Sequence, residues 1–306
     1  MPPKVSIVIL NWNGLNDTID CLESLSKIDY ENHEIIIVDN NSTGEDVKRL
    51  KELFGNYIKK IIVNKENLGF SGGNNVGIKY ALKNNTDVVL LLNNDTIVEA
   101  NFLSKLVKTS ITYPDAGVLT PMINYYTDKK TVWFAGGYIS RTRVTGIPLG
   151  IGKPEHLFSK NKYCTFASGC CMYIKKEVFE KVGFLDENYF LYLEDTDFSW
   201  RVLASGFKIL YESSSKIYHK VGSTMSKANS MLNVYFNIRN RLFFAKKNLG
   251  IQYCFLAIVI VLISLTVGLI FGNKKNDTIR ATFFAINDFW QNKMRKGSFD
   301  KIISFM

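Results

Sequence analysis

The chain has 306 residues, 46% of them hydrophobic, including 21 Phe and 15 Tyr, which supplies a large core and excludes a disordered chain. Its net charge is +10, from 38 basic against 28 acidic residues. That balance suits anionic substrates or an anionic membrane surface, and with no nucleic-acid-binding signature beside it a nucleic-acid partner is not expected.

The first hundred residues alternate strand and helix. A β-branched apolar run at 5–10 predicts a strand, and Leu15, Ile19, Leu22 and Leu25 carry helical spacing through 15–28. Then follow a strand at 35–38, a helix at 46–54, a strand at 58–63, a helix at 74–82 and a strand at 88–92. Near-continuous apolar strands between amphipathic helices predict a mostly parallel, Rossmann-like α/β sheet with helices on both faces. In such sheets ligands bind beyond the carboxyl ends of the strands, where Asn11 and Asn13, Asp39 and Asn41, and Asn93, Asn94 and Asp95 all fall.

After Pro121 the pattern loosens. Residues 133–150, rich in Gly and aromatics, predict a hairpin or lid; a strand at 170–174 and a helix at 195–205 close this half. Residues 253–272 carry no charge and are flanked by Lys246, Lys247, Lys274 and Lys275. As a helix this segment would be about 30 Å long, enough to cross a bilayer core, although crossing, dipping in and lying on the surface all fit. The tail beyond it, with Phe283, Phe284, Phe289 and Trp290 near Lys293, Arg295 and Lys296, reads as an interfacial amphipathic segment. The five cysteines form no Cys-x-x-Cys pair, so reduced thiols are expected, and Met-Pro-Pro-Lys is no signal peptide.

Several segments carry chemistry. Asp95 ends an apolar strand, and a hard divalent cation such as Mg2+ or Mn2+ takes oxygen ligands of that kind; a turn rich in Asn and Asp would look the same. Asp39 suits a base edge or ribose hydroxyl, or a turn. The run from Asn67 through Gly69, Gly72 and Asn74 opens a helix after the third strand. Its glycines would let backbone approach a diphosphate, yet it matches neither a P-loop nor a dinucleotide fingerprint. Glu194, Asp195 and Asp197 sit at a helix start behind a strongly aromatic stretch, which exceeds what capping requires and suits general-base work. His219 is either a metal ligand or a structural histidine.

Together these pieces resemble the family 2 glycosyltransferases of the GT-A fold, in particular the rhamnosyltransferase-like branch. The resemblance rests on Val5-Ser-Ile-Val-Ile-Leu-Asn-Trp-Asn-Gly, Val38-Asp-Asn-Asn-Ser, Asn67-Leu-Gly-Phe-Ser-Gly-Gly-Asn-Asn, Leu91-Leu-Asn-Asn-Asp-Thr, Ala167-Ser-Gly-Cys-Cys-Met, Glu194-Asp-Thr-Asp-Phe-Ser-Trp-Arg and His219-Lys-Val-Gly-Ser, in that order. It implies a catalytic domain over 1–245, with a nucleotide-binding half at 1–120 and an acceptor-binding half at 121–245. Residues 246–306 would be a membrane-associated helical region.

By the same resemblance Asp39 contacts the nucleotide base, and Asp95 and His219 hold a divalent cation on the donor diphosphate. Asp195 is the catalytic base with Glu194 beside it, and Gly169 lies near the donor sugar. The family's Asp-x-Asp reads Asn93-Asn94-Asp95 here, one formal charge fewer. The implied activity is inverting transfer from a UDP- or dTDP-sugar to a lipid-linked or other glycan acceptor at the cytoplasmic face of the cell membrane. Two alternatives share parts of the pattern: a sugar-1-phosphate nucleotidyltransferase, which would carry a basic Gly-rich loop where Asn11-Trp12-Asn13-Gly14 stands, and a non-catalytic membrane-associated homologue.

Overall fold

The computed structural model describes residues 2–221, 227–270 and 276–304. Its first half runs β1 (Val5–Asn11), α1 (Leu15–Leu25), β2 (His33–Asp39), α2 (Asp46–Phe54), β3 (Ile58–Val63), α3 (Gly69–Lys83), β4 (Val88–Asn93), β5 (Thr96–Val98), α4 (Phe102–Thr112) and β6 (Ala116–Tyr125). Then come β7 (Thr131–Phe134), β8 (Gly137–Ser140), β9 (Thr145–Pro148), β10 (Lys153–Pro154), β11 (Lys162–Cys164), β12 (Cys171–Lys175), α5 (Lys176–Val182), α6 (Glu194–Ala204) and β13 (Lys208–His219). Four further helices follow: α7 (Lys227–Phe244), α8 (Ile251–Ile270), α9 (Asn276–Trp290) and α10 (Phe299–Ser304).

β1 to β4 form the parallel part of the sheet, in the spatial order β3-β2-β1-β4. Their apolar runs are continuous because both faces are buried. Ile7, Ile9, Ile35, Ile37, Leu90 and Leu92 face one core with Leu22 and Leu106. Val8, Ile36, Val38, Val89 and Leu91 face the other with Ile78, Phe198 and Val202. Each such side chain contributes about 1.5–3 kcal/mol on burial.

Beyond β4 the sheet departs from the mostly parallel expectation. β12 pairs antiparallel with β4 and with β6, β7 antiparallel with β6, and β13 parallel with β6 but antiparallel with β5 and β11. The sheet is therefore mixed. The physical reason is the connection: β12 is reached by the long strand-rich excursion after β6, and an antiparallel neighbour needs no crossover helix. The aromatic, Gly-rich stretch forms the predicted hairpin, β8 against β9.

The cysteines are all free, and burial pushes the Cys21 thiol up to about 12. At the C-terminal end α7 packs against α8, α9 and α10. One side of α8 is buried through Cys254, Ala257 and Val261, whereas Phe255, Val259, Leu262 and Ile263 are exposed. Among the described residues no helix is long and apolar enough to cross a membrane. Residues 271 and 272 of the predicted span lie outside the described residues.

Candidate active site

Strand register brings the polar strand ends together: Asn11 lies opposite Asp39, and Leu10 opposite Asn93. Asn11 is fully buried and its amide donates to Asp39 Oδ1 at 2.9 Å and to Asp46 Oδ2 at 2.9 Å, while its oxygen accepts from Thr18 Oγ1 at 2.9 Å. Asp39 also accepts from the Ser42 N–H at 3.0 Å and from Ser42 Oγ at 2.6 Å. Its carboxylate thus shapes the turn after β2. Asn13 accepts from the Thr43 N–H at 2.8 Å, and Asn41 is exposed with a left-handed φ of 66°. Asn94 donates to Thr18 Oγ1 at 2.9 Å.

Asn67 accepts from the Gly69 N–H at 2.8 Å and from the Asn40 amide at 2.9 Å. Asn40 is almost completely buried, accepts in turn from Asn64 and the Leu68 N–H, and was not singled out from the sequence. The glycines belong to α3, which starts at Gly69, earlier than expected. Gly69 has a φ of 72°, and a Cβ there would collide with the Phe190 carbonyl; a Cβ on Gly72 would meet Leu68 at 2.8 Å. Asn74 donates to Phe70 O one turn back, at 2.9 Å. These residues seat α3 closely on its neighbours.

Asp95 and His219 are far apart in the chain, yet β13 pairs antiparallel with β5 and sets His219 opposite Thr96. His219 Nε2 lies 3.1 Å from Asp95 Oδ2. The other two polar atoms, Asp95 Oδ1 and His219 Nδ1, are buried without a hydrogen-bond partner. A carboxylate and an imidazole that meet at 3.1 Å, with a further carboxylate oxygen buried and unsatisfied, are the donor types that a cation of the Mn2+ or Mg2+ kind takes. Among the described residues no three His, Cys, Asp or Glu side chains gather into a complete metal shell. Lys220, next in the chain, pairs with Asp17 at 3.0 Å and with Asp20, tying β13 to α1.

Glu194 and Asp195 open α6, immediately after Leu193 in a left-handed conformation. Asp195 Oδ2 accepts from the Gly169 N–H at 3.1 Å and Oδ1 from the Thr196 N–H at 2.7 Å. Gly169 leaves little room: a Cβ would stand 3.2 Å from the Phe70 ring and 3.7 Å from Asp195 Cβ. Glu194 is 5% exposed and its Oε2 has no partner. Burial raises both carboxyls, the charge of Asp195 pushes Glu194 further up, and the two N–H donors oppose the rise at Asp195.

Both acids line a cavity of about 220 Å³ with Trp133, Phe134, Phe166 and Ser168. Trp133 also packs edge-on against His219, ring centroids 4.4 Å apart, so the Asp95–His219 pair and the carboxylate cavity share one wall. Trp133 opens the stretch expected to form a hairpin or lid. Its pairing with His219 depends on a sheet contact no local pattern encodes.

Comparison with known proteins agrees with this geometry. A family model described as glycosyl transferase family 2 matches residues 6–183. The low-salt glycan biosynthesis hexosyltransferase Agl10 of Haloferax volcanii is 28% identical over 277 residues, covering 85% of this chain and 83% of that protein. The dTDP-rhamnosyl transferase RfbF of Shigella flexneri is 24% identical over 268 residues, covering 81% and 82%. Among solved structures, a mannosyltransferase from Pyrobaculum calidifontis in complex with GDP-Man and Mn2+ superimposes with a TM-score of 0.60 over 96% of this chain and 88% of that one, at 12% identity. The likeness in structure establishes the GT-A fold with its mixed sheet. The chain belongs to glycosyl transferase family 2, among its rhamnosyltransferase-like members, and is a glycosyltransferase that uses a nucleotide-sugar donor.

Proposed function

We propose that this glycosyltransferase is inverting and metal-dependent, and that it moves a hexosyl or deoxyhexosyl group from a UDP- or dTDP-sugar to a hydroxyl of a lipid-linked glycan. The observation that carries the reading is the shared wall: Trp133 joins the unsatisfied Asp95–His219 pair to the cavity holding Asp195. Donor diphosphate at the pair and acceptor in the cavity would then meet within one site. The rhamnosyl and hexosyl activities named for the relatives favour such a donor.

Asp95 and His219 would hold the cation, which when bound neutralises charge on the donor's phosphates. Asp195 takes the proton of the acceptor hydroxyl. The freed oxygen attacks the anomeric carbon, and the bond to the nucleoside diphosphate breaks on the opposite face. Gly169 supports this geometry through its N–H to Asp195, and its lack of a side chain lets the Phe70 ring pack close beside it. Trp133, Phe134 and Phe166 line the cavity and offer aromatic surface to a sugar ring.

The reading is tested with purified protein, Mn2+ or Mg2+, and a panel of UDP-, dTDP- and GDP-sugars. Free UDP or dTDP should appear from one donor and vanish with EDTA and in Asp95→Ala. Turnover that survives both treatments would refute metal dependence.

Membrane association at the cytoplasmic face belongs to the same proposal. Support comes from α8, whose outward face carries Phe255, Val259, Leu262 and Ile263, and from exposed Phe283 and Trp290 on α9. With one side of α8 packed on protein, a helix lying in the interface fits better than one crossing it. Such a surface would present the cavity to a lipid-linked acceptor.

A further inference from the structure

Asp195 enters its cavity from backbone held against its own preference. Tyr192 and Leu193 have φ values of 68° and 66°. Conformations of that kind are strained in non-glycine residues and persist only where the surroundings hold them. The holding group comes from the C-terminal helices. Asn240 on α7 is fully buried, and its amide donates to Leu191 O and to Tyr192 O, both at 2.8 Å.

The amide is itself fixed. Its oxygen accepts from Arg239 Nε at 3.0 Å and Nη2 at 2.9 Å. Arg239, also fully buried, donates through Nη1 to the Tyr235 hydroxyl at 3.1 Å, and that hydroxyl donates to Asp288 Oδ2 on α9 at 2.6 Å. Just beyond, Lys247 and Asn248 reach Asp197 on α6 at 2.8 and 2.9 Å. Both the loop before Asp195 and the helix that carries it are therefore gripped from the C-terminal region.

We infer that Asn240 is a positioning residue for glycosyl transfer: by clasping the carbonyls of Leu191 and Tyr192 it sets the loop that aims Asp195 at the acceptor. The inference rests on the reading of Asp195 as the base. It also makes the C-terminal helices part of the catalytic framework as well as a membrane-facing surface. A carboxylate displaced by a fraction of an ångström loses its alignment with the attacking hydroxyl while the donor site, at the ends of β1, β2, β4 and β13, stays intact.

Asn240→Asp tests this selectively. It retains the oxygen that Arg239 binds and the side-chain volume, and replaces the two N–H donors with a carboxylate oxygen that repels the loop carbonyls instead of clasping them. Expected is a fall in kcat of about ten- to a hundredfold with the donor KM within about twofold of wild type. Ile302→Ala, which loosens the same helical packing without touching the clasp, serves as the stability control and should retain wild-type kcat at a comparable loss of melting temperature. Asn240→Ala repeats the measurement should the aspartate prevent folding. Wild-type kcat in a folded Asn240 variant, or losses of kcat that follow melting temperature equally in Asn240→Asp and Ile302→Ala, would overturn the inference. Asp195→Asn is assayed alongside: if it stays active the base assignment is wrong, whereas an inactive Asp195→Asn with an unaffected Asn240→Asp refutes the clasp alone.

Discussion

Glu194 and Asp195 are adjacent in the chain but face different conditions. Asp195 has two N–H donors to stabilise its charge, whereas Glu194 Oε2 has none. The two donors therefore favour charge on Asp195 over charge on Glu194. Asp195→Asn should lower turnover by about 10²–10⁴-fold while leaving nucleotide binding by calorimetry intact. Glu194→Gln, which copies the protonated acid, should retain much more activity. Because burial raises Asp195, the acid limb of the kcat–pH profile should lie above the ordinary aspartate range, with the rate climbing as pH rises through that raised value. Stability carries its own sign. The folded state holds the Glu194 proton more tightly than the unfolded chain does, so wild type loses stability as pH rises above the usual glutamate range. Melting curves should show Glu194→Gln gaining on wild type there and matching it at lower pH.

At the scale of elements, α3 shows how much a glycine pattern leaves open. Read along the chain, Gly69, Gly72 and Gly73 suggest a backbone open to a diphosphate, although they form no P-loop. In the fold they belong to a helix pressed against β1 and β2, and Gly77 continues the same contact, where a Cβ would run into the Val8 side chain. Gly77→Ala should destabilise by about 1–3 kcal/mol, read as a lower melting temperature. An unchanged midpoint would show that Val8 can move aside. β1 to β4 were legible from their apolar runs, and α2 and β3 fall at their expected bounds, whereas β5 and β6 were not anticipated. β13 was not either, since Lys208–His219 mixes Lys, Ser and Tyr with apolar residues and half of its pairing is with sequence-distant β6. His219 could therefore be suspected from its neighbours in the chain but not placed.

For the whole molecule, the C-terminal helices are joined to the catalytic part by buried polar groups, and this sets two expectations. Asp288→Ala removes the acceptor of the buried Tyr235 hydroxyl and a carboxylate whose charge favours that of Arg239, so it should cost about 1–3 kcal/mol in chemical denaturation. A loss much below that would mean that water replaces the carboxylate. Membrane association is checked by co-sedimentation with anionic phospholipid vesicles: wild type should pellet, and Phe255→Ser with Leu262→Ser should weaken it. Wild type that stays in the supernatant, with full activity and no lipid requirement, would refute the surface role.

What the sequence by itself determined is the set of groups available at the strand ends. Burial on both faces makes apolar runs of four to six residues recognisable wherever they lie, and the polar residues that follow each run mark the ligand-facing edge. Asn11, Asp39 and Asp95 follow from that rule alone. The tertiary structure decided which of them look inward and which outward. Asp39 is occupied by Asn11 and Ser42, whereas Asp95 meets His219 and retains an unsatisfied oxygen. It also decided that β12 enters antiparallel, that Trp133 closes the wall between pair and cavity, and that Asn240 holds the loop before Asp195. Each of these joins residues far apart in the chain through backbone pairing or a buried amide, and such contacts leave no periodic trace in the segments that make them.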